Sequence, residues 1–175
     1  LRPLREAVFS GDNRACFIDR EIALADSEAE AFATPESHRY AFLLERVLDR
    51  ASTPIHTHDA ILGRMAEAPW PQDRPRVHIP HGLESDGHMT LDWAALLDHG
   101  LAGLAEQALS AAGHIGTASA TTFAGNLSRC CAAIERYAHR YAEAARTAAN
   151  RAEVSSSCRV QLRESAAMLD RVPMG

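Results

Sequence analysis

The sequence has few of the features that mark membrane, secreted or nucleic-acid-binding proteins. It contains no apolar run of about 18 residues and no signal-peptide pattern, so we expect neither a membrane span nor secretion. Basic residues are in the minority, 18 against 23 acidic residues, and the net charge is −5. That balance argues against binding to nucleic acids or to anionic membranes. Without a membrane span or a signal peptide, a soluble cytoplasmic protein is the expectation.

The four cysteines lack the spacing of a disulfide framework or of a zinc site. Cys16 and Cys158 stand alone, and no CxxC pair occurs. Cys130 and Cys131 are neighbours, and on a helix adjacent side chains point about 100° apart, so these two thiols cannot pair with each other. We expect reduced thiols in the core and therefore a reducing compartment.

Aromatic residues make up only 6% of the chain whereas alanine is abundant, a composition that favours closely packed helices. The 175 residues suffice for one domain with a real core. We therefore predict a mainly α domain over residues 1–175, a helical array with one irregular strap and at most a short strand. Because the chain begins at Leu1 rather than at a methionine, we also expect it to be a fragment.

The first third of the chain reads as helical. Residues 2–33 are expected to form a helix, with a possible break near residues 10–13. Thr34 is the expected N-cap of the next helix, and Pro35 suits its first position. That helix should run to about Asp49, because apolar residues recur there at helical spacing. These residues are Tyr40, Leu43, Leu44, Val47 and Leu48.

The middle of the chain is less regular. Residues 54–59 read as a turn, and residues 60–64 could form a short strand or an extended edge. Residues 66–86 carry four prolines among scattered charges, so we expect an irregular strap that lies across another surface. Thr90 is the expected cap of the helix that follows, with Asp92 in its first turn.

Three apolar stripes follow at helical spacing. The first, ending at residues 113–116, comprises Leu97, Leu101, Leu104, Ala108 and Leu109. The second lies in a predicted helix over residues 118–149 and comprises Phe123, Leu127, Cys130, Ile134, Tyr137, Tyr141 and Ala145. The third, in a helix over residues 153–170, comprises Val160, Leu162, Ala166 and Leu169. Wide, alanine-rich stripes of this kind predict helices that pack against more protein than this chain contains.

Histidine pairs offer two further hypotheses. His56 and His58 resemble the H-x-H metal pair of amidohydrolase barrels, since alternate residues of a strand place both imidazoles on one face. The chain lacks the alternating strands and helices that would supply the other ligands, so a polar turn is the favoured interpretation. His78 and His81 flank a proline in the strap and are expected to be surface residues.

Several segments carry a family resemblance, in the same order as they occur in that family. The most specific match lies at residues 87–104, through Gly87, His88, Met89, Thr90, Asp92, Trp93, Leu97, Gly100, Leu101, Gly103 and Leu104. Weaker matches are Leu4-Arg5, Cys16 to Glu21, Arg39-Tyr40-Ala41, Asp59 to Arg64, Arg140-Tyr141-Ala142, Arg159 with Leu162, and Val172-Pro173. Together they resemble the N-terminal part of the pyruvate formate-lyase family of glycyl radical enzymes. The strap is shorter than in many members, so the subfamily stays open.

The resemblance implies a ten-stranded α/β barrel wrapped by helices, of which this chain would be the N-terminal helical part. Family members are anaerobic lyases, dehydratases or transferases of the formate C-acetyltransferase kind. A glycyl radical, installed by an activating enzyme with an iron–sulfur cluster and S-adenosylmethionine, passes to a cysteine that attacks a small substrate. The implied partners are the rest of the enzyme chain, the activating enzyme, the small-molecule substrate and, in many members, a second subunit of a homodimer.

The reactive residues of that family match no position here. We therefore expect no catalytic residue, no bound cofactor and no metal in this chain, and no activity from the fragment alone. Cys130 and Cys131 lie within a long helical pattern, unlike the loop cysteines of pyruvate formate-lyase, so core packing is expected. His88 is the single candidate for substrate binding, because an early histidine can face substrate in dehydratase-type members. It could equally fix the start of the helix near Thr90.

A second function class stays open beside the enzyme. The chain could be a stand-alone helical module that binds another protein and has no enzymatic activity. The discriminating feature is the gene: an open reading frame beyond Gly175 with a cysteine and a terminal radical glycine favours the enzyme. A stop codon at that point favours the module.

Overall fold

The computed structural model describes residues 18–55, 92–151 and 153–171, with side chains from residue 22 onward. Within these ranges 84% of the residues are helical and none forms a strand, so the mainly α prediction is confirmed for them. The helices are α1 (Ile18–Asp26), α2 (Glu28–Ala33), α3 (Glu36–Arg50), α4 (Trp93–Ile115), α5 (Ala118–Ala149) and α6 (Ser156–Leu169). The strap, the short strand and the break near residues 10–13 lie outside the described residues.

Helix α5 is the centre of the described fold. Helices α3, α4 and α6 all pack against it, while α1 and α2 pack against α3. Its predicted bounds of 118–149 are confirmed. Thr117 caps the start of the helix, because its hydroxyl accepts a hydrogen bond from the Ala120 amide at 3.3 Å. The long uninterrupted helical pattern therefore produces the element on which the other helices converge.

Two predicted N-caps are wrong: Pro35 precedes α3 without a side-chain cap, and Asp92 caps α4. Thr34 ends α2 rather than starting α3, since its hydroxyl donates to the Glu30 carbonyl at 2.8 Å. Pro35 is then the residue preceding α3, one position earlier than expected. At the start of α4, the Asp92 carboxylate accepts from the Ala95 amide at 3.1 Å. Asp92 is thus the cap and not a first-turn residue, and Thr90 lies outside the described residues.

Helices α4 and α5 form a hairpin joined by two residues. Gly116 ends α4 in the left-handed conformation, with φ of 69°, and its amide donates to the Ala112 carbonyl. This is the conformation that glycine adopts without steric cost, and it closes the helix end as expected from the glycines at 113–116. Thr117 follows directly as the N-cap of α5, so Gly116 and Thr117 form the whole connection between the two helices.

Small side chains form most of the core. A cluster at the α5–α6 contact buries Val154 and Leu162 together with the alanines 142, 145, 148, 149 and 166. A second cluster joins α1, α2 and α3 through Ala23, Leu24, Ala31, Phe42, Leu43 and Val47. Alanine lets helix backbones approach closely, but each buries little apolar area, so the hydrophobic gain per contact is modest.

Large apolar side chains, in contrast, remain on the outside. Leu97 is 72% exposed and Phe123 is 67% exposed. The remaining members of this set are Phe32, Tyr40, Trp93, Leu109, Ile115, Ile134, Val160 and Met168. The stripes predicted on α4 and on the first half of α5 are therefore only partly covered, since Leu97, Leu109 and Phe123 are exposed while their other members are half-buried. The buried face of α4 consists of Gly100, Ala105 and Ala112.

Candidate functional site

The one predicted site residue, His88, lies outside the described residues. The same holds for Gly87 and for the histidine pairs His56–His58 and His78–His81. No expectation about substrate or metal contact at these positions is tested by the structure. Several segments of the resemblance do lie in described helices, among them Arg39 to Ala41, Asp92 to Leu104 and Arg140 to Ala142.

The segment after Asp92 contains a glycine that the backbone requires. Gly100 is buried and has φ of 61° and ψ of −177°, in the middle of α4. Residues with a Cβ almost never adopt this conformation, and the cost for them is about 1 to 3 kcal/mol. Gly100 therefore divides α4 into a short first part that carries Trp93 and Leu97 and a longer second part.

One turn later, Gly103 lies in close contact with the preceding turn. A Cβ added at this position would lie 3.0 Å from the Cβ of His99, closer than nearly all real contacts of this kind. Any side chain at Gly103 would push against the turn that Gly100 has already redirected. The Gly-Leu-Ala-Gly-Leu sequence at residues 100–104 thus encodes a kinked helix with close contact across the kink.

The segment Arg140-Tyr141-Ala142 holds the end of α3 against α5. The Arg140 guanidinium donates to the carbonyls of Leu48 and Asp49, each at 2.8 Å, and also to that of Ala51. Carbonyls at a helix C-terminus lack intrahelical partners, so a guanidinium satisfies and neutralises them. Tyr141 is 1% exposed, and its ring contacts Tyr137 edge to face at 5.2 Å. Its role is structural.

The earlier segment Arg39-Tyr40-Ala41 repeats part of this arrangement. The Arg39 guanidinium donates to the carbonyl of Ala31 at 3.1 Å and to that of Thr34 at 3.5 Å, at the end of α2. Ala41 is buried, as Ala142 is, but Tyr40 is 59% exposed. The two arginines are therefore helix-end ligands, and the two tyrosines occupy opposite environments.

A group of exposed ion pairs connects α3 to α5. Arg136 binds Asp49 at 3.0 Å and Glu45 at 3.1 Å, and Arg129 binds the same Glu45 at 2.5 Å. The hydrogen bond that Arg136 donates to the Asp49 carboxylate raises the pKa of the guanidinium. Exposed pairs of this kind contribute only about 0.2 to 1 kcal/mol each, so they set the register of the two helices more than their stability.

A polar contact near the start of α3 was not anticipated from the sequence. The Nδ1 atom of His38 lies 2.8 Å from the Oδ1 atom of Asn126, and the Asn126 amide donates to the Ser37 carbonyl at 2.6 Å. The residues are 88 positions apart, so no local pattern could have paired them. Together with the ion pairs and Arg140, this contact makes the whole α3–α5 interface polar along its edge.

The described cysteines are thiols, as expected. Cys130 is half-buried and Cys131 is buried, and both lie inside α5. Burial raises the pKa of each thiol, and the neighbouring Cys130 raises that of Cys131 further. A raised pKa lowers the thiolate fraction and with it the nucleophilicity. This agrees with a packing role for the pair.

Among the described residues, no group of three or more His, Cys, Asp or Glu side chains could hold a metal ion. Over the same residues, no helix is long and apolar enough to cross a membrane. The polar groups described above bind one another or helix ends, and none of them is arranged as a nucleophile with a base. Comparison with known protein families, with curated proteins and with solved structures found no match to this chain.

Proposed function

We propose that this chain is the N-terminal helical part of a glycyl radical enzyme of the pyruvate formate-lyase family. In that role it packs around the catalytic barrel and helps to exclude water and oxygen from the radical. It contributes no reacting group of its own. The reaction, which cleaves a C–C or C–heteroatom bond of a small substrate, depends on the rest of the enzyme and on the activating enzyme.

The uncovered apolar surface of the helices is the observation that carries this proposal. Helices α4 and α5 bury alanine and glycine against each other and expose Trp93, Leu97, Phe123 and Ile134. In a protein that functions by itself, large apolar side chains are expected in the core and small ones are tolerated outside. The reverse arrangement suits helices whose outer face contacts additional protein.

Charge distribution supports the same interpretation. From Gln107 to Ser128 the sequence contains no Asp, Glu, Lys or Arg, and this tract forms the turn region of the α4–α5 hairpin. Solvated helix surfaces normally carry charged residues at regular intervals. An uncharged tract with exposed large apolar residues is typical of a surface that becomes buried in an interface, where charged side chains are depleted.

Two glycines of α4 support the proposal. Gly100 and Gly103 are among the residues on which the resemblance rests, and each occupies a place that a side chain would disturb.

The decisive experiment reads the gene downstream of Gly175. The proposal requires a continuing open reading frame that encodes a mid-chain cysteine and a radical glycine segment near its end. The full-length product, incubated anaerobically with an activating enzyme and S-adenosylmethionine, should give a glycyl radical doublet in electron paramagnetic resonance. The 175-residue chain treated in the same way should give none, and a radical signal from it would contradict the proposal.

A stand-alone interaction module is the second candidate, and the same exposed apolar face favours it. A stop codon directly after Gly175 would select this candidate and remove the enzyme. In that case the α4–α5 hairpin would be the binding surface, and replacing Leu97 and Phe123 together by serine should abolish binding to the partner without unfolding the helices.

A further inference from the structure

A second feature, away from the α4–α5 hairpin, is a cleft between the end of α5 and the middle of α6. It is lined by Arg146 and Asn150 from the α5 side and by Arg163 and Ala167 from α6. Its volume is about 340 Å³, and it is open to solvent, because all four lining residues are exposed. Two guanidiniums and one amide thus face a space larger than a bare phosphate ion.

The cleft lies in a locally basic region of an acidic chain. Residues 146–171 contain five arginines and three acidic residues, whereas the chain as a whole carries a net charge of −5. Among the described residues that line the cleft, none is a carboxylate. Asp170, beside it, binds Arg146 and also lies 3.4 Å from Nδ1 of His139. Arg146 is therefore held in place by Asp170 through one of its nitrogens and keeps other N–H donors.

Arg163 lacks such a partner. Its guanidinium has one long hydrogen bond, 3.4 Å, to the Oδ1 atom of Asn150, and no ion pair within the part of the chain that the structure describes. Because Asn150 accepts from Arg163 through Oδ1, its amide nitrogen can donate to a ligand. Three donor groups, on Arg146, Asn150 and Arg163, therefore border the cleft.

We propose that this cleft binds the phosphate group of a small phosphorylated molecule. Arginine recognises phosphate and carboxylate through paired N–H donors, and such charge-assisted bonds are among the strongest that side chains make. Three separate donor groups suit the three terminal oxygens of a phosphate better than the two of a carboxylate. The remaining volume accommodates the part of the molecule to which the phosphate is attached. This inference is independent of the proposed function.

The test is a calorimetric titration of the 175-residue chain with inorganic phosphate and with glycerol 2-phosphate, at ionic strength held constant with chloride. We expect saturable binding of both, tighter for the ester. Arg163→Gln should weaken binding at least about tenfold, because it removes one charged donor group. Arg163→Lys should fall between the two, since it keeps the charge but loses the planar pair of donors.

Arg129→Gln is the matched control, because Arg129 lies on the same helix as Arg146 and has similar exposure, 42% against 47%. It should leave phosphate binding unchanged. Ala167→Asp adds a carboxylate to the cleft at an exposed helical position, and it should abolish binding while the helical circular dichroism stays the same. This variant keeps the test valid even if Arg163 proves to matter for folding.

Three results would overturn the proposal. The first is phosphate binding that does not saturate or that chloride reproduces. The second is equal affinity in the parent chain and in Arg163→Gln, which would leave the arginines only a role in compensating the end of α5. The third is tighter binding of malonate than of glycerol 2-phosphate, which would assign the cleft to carboxylates.

Discussion

The two halves of α5 carry the same apolar repeat but occupy different environments. In the first half, Phe123 points outward and is 67% exposed. In the second half, Tyr141 and Ala145 are fully buried, and Ala145 belongs to the cluster formed with α6. The periodicity continues from one half to the other without a break. What changes is the set of neighbouring helices.

The difference between the two halves shows that an apolar stripe identifies the helix face suited to burial. It does not show whether another helix covers that face. Helix α6 covers the second half of α5. The end of α3 also packs there, because Arg140 of α5 binds its carbonyls. The first half buries small residues such as Ala124 and leaves Phe123 outside. We therefore expect substitutions in the second half to affect folding and substitutions in the first half to affect association.

The largest effect on stability is expected where α6 packs against the second half of α5. Leu162 is 1% exposed and contacts the alanines of α5, so Leu162→Ala should lower the free energy of unfolding by about 3 kcal/mol. Val160→Ala is the matched control on the same helix, because Val160 is 56% exposed and should change stability by less than about 0.5 kcal/mol. Urea unfolding followed by circular dichroism measures both. Equal losses would contradict the assignment of the buried face.

The next effect concerns the contact between α3 and α5. Arg140→Met keeps much of the apolar stem but removes the donors that satisfy the end of α3, and it should cost about 2 kcal/mol. Arg136→Met removes only exposed ion pairs and should cost less than about 1 kcal/mol. When the urea series is repeated with 0.5 M added salt, the loss of unfolding free energy should shrink more for Arg136→Met than for Arg140→Met. The reverse order would show that the ion pairs dominate this interface.

Two glycines of α4 should respond to alanine with opposite signs. Gly100→Ala forces a side chain into a backbone conformation with φ of 61° and should destabilise the chain by about 1.5 kcal/mol. Gly113→Ala lies in the same helix, has open space around the added methyl group, and should stabilise it by about 0.5 kcal/mol. Thermal unfolding of the two variants measures the difference. A stabilising Gly100→Ala would mean that the kink is not required.

A smaller effect on stability, but a clear one on surface properties, is expected in the first half of α5. Phe123→Ser should change the free energy of unfolding by less than about 0.5 kcal/mol, because the ring is mostly exposed. It should also reduce the fluorescence of the apolar dye ANS bound to the native chain. A loss above about 1 kcal/mol would place Phe123 in the core and remove the contrast between the two halves.

The smallest expected effect is chemical. Burial raises the pKa of Cys131, so its thiol should react with iodoacetamide at pH 8 more slowly than the same residue in urea. The folded-state pKa lies above the unfolded one, so the associated stabilisation is present below about pH 9 and is lost as the pH rises through the folded value. Mass spectrometry of the alkylated cysteine measures the rate. Equal rates in buffer and in urea would contradict its burial.

Local sequence patterns predicted the helices better than their contacts. The bounds of α5 and the mainly α class followed from an apolar repeat that extends over many turns. The caps of α3 and α4 were missed by one or two positions, because Thr34, Pro35 and Asp92 are all competent near a helix end. Such choices depend on small differences in free energy that tertiary contacts decide.

The interhelical contacts could not be read from the sequence at all. Arg140 and its carbonyl partner at Leu48 are 92 residues apart, and no local rule connects them. The kink at Gly100 was also missed, since a glycine in a helical pattern is usually tolerated without leaving the helical conformation. His88, which rests on the family resemblance, stays a prediction, because it lies outside the described residues.

The two-residue link between α4 and α5 has a consequence for the order in which the chain folds. Closing so short a loop costs little entropy, so the hairpin should form early, on the microsecond scale typical of local helical structure. Docking of α3 onto α5 must close a loop of about 90 residues, as the 91-residue separation of Glu45 and Arg136 shows, and should therefore come later. During folding, the chain would thus present the bare α4–α5 hairpin before α3 docks onto it.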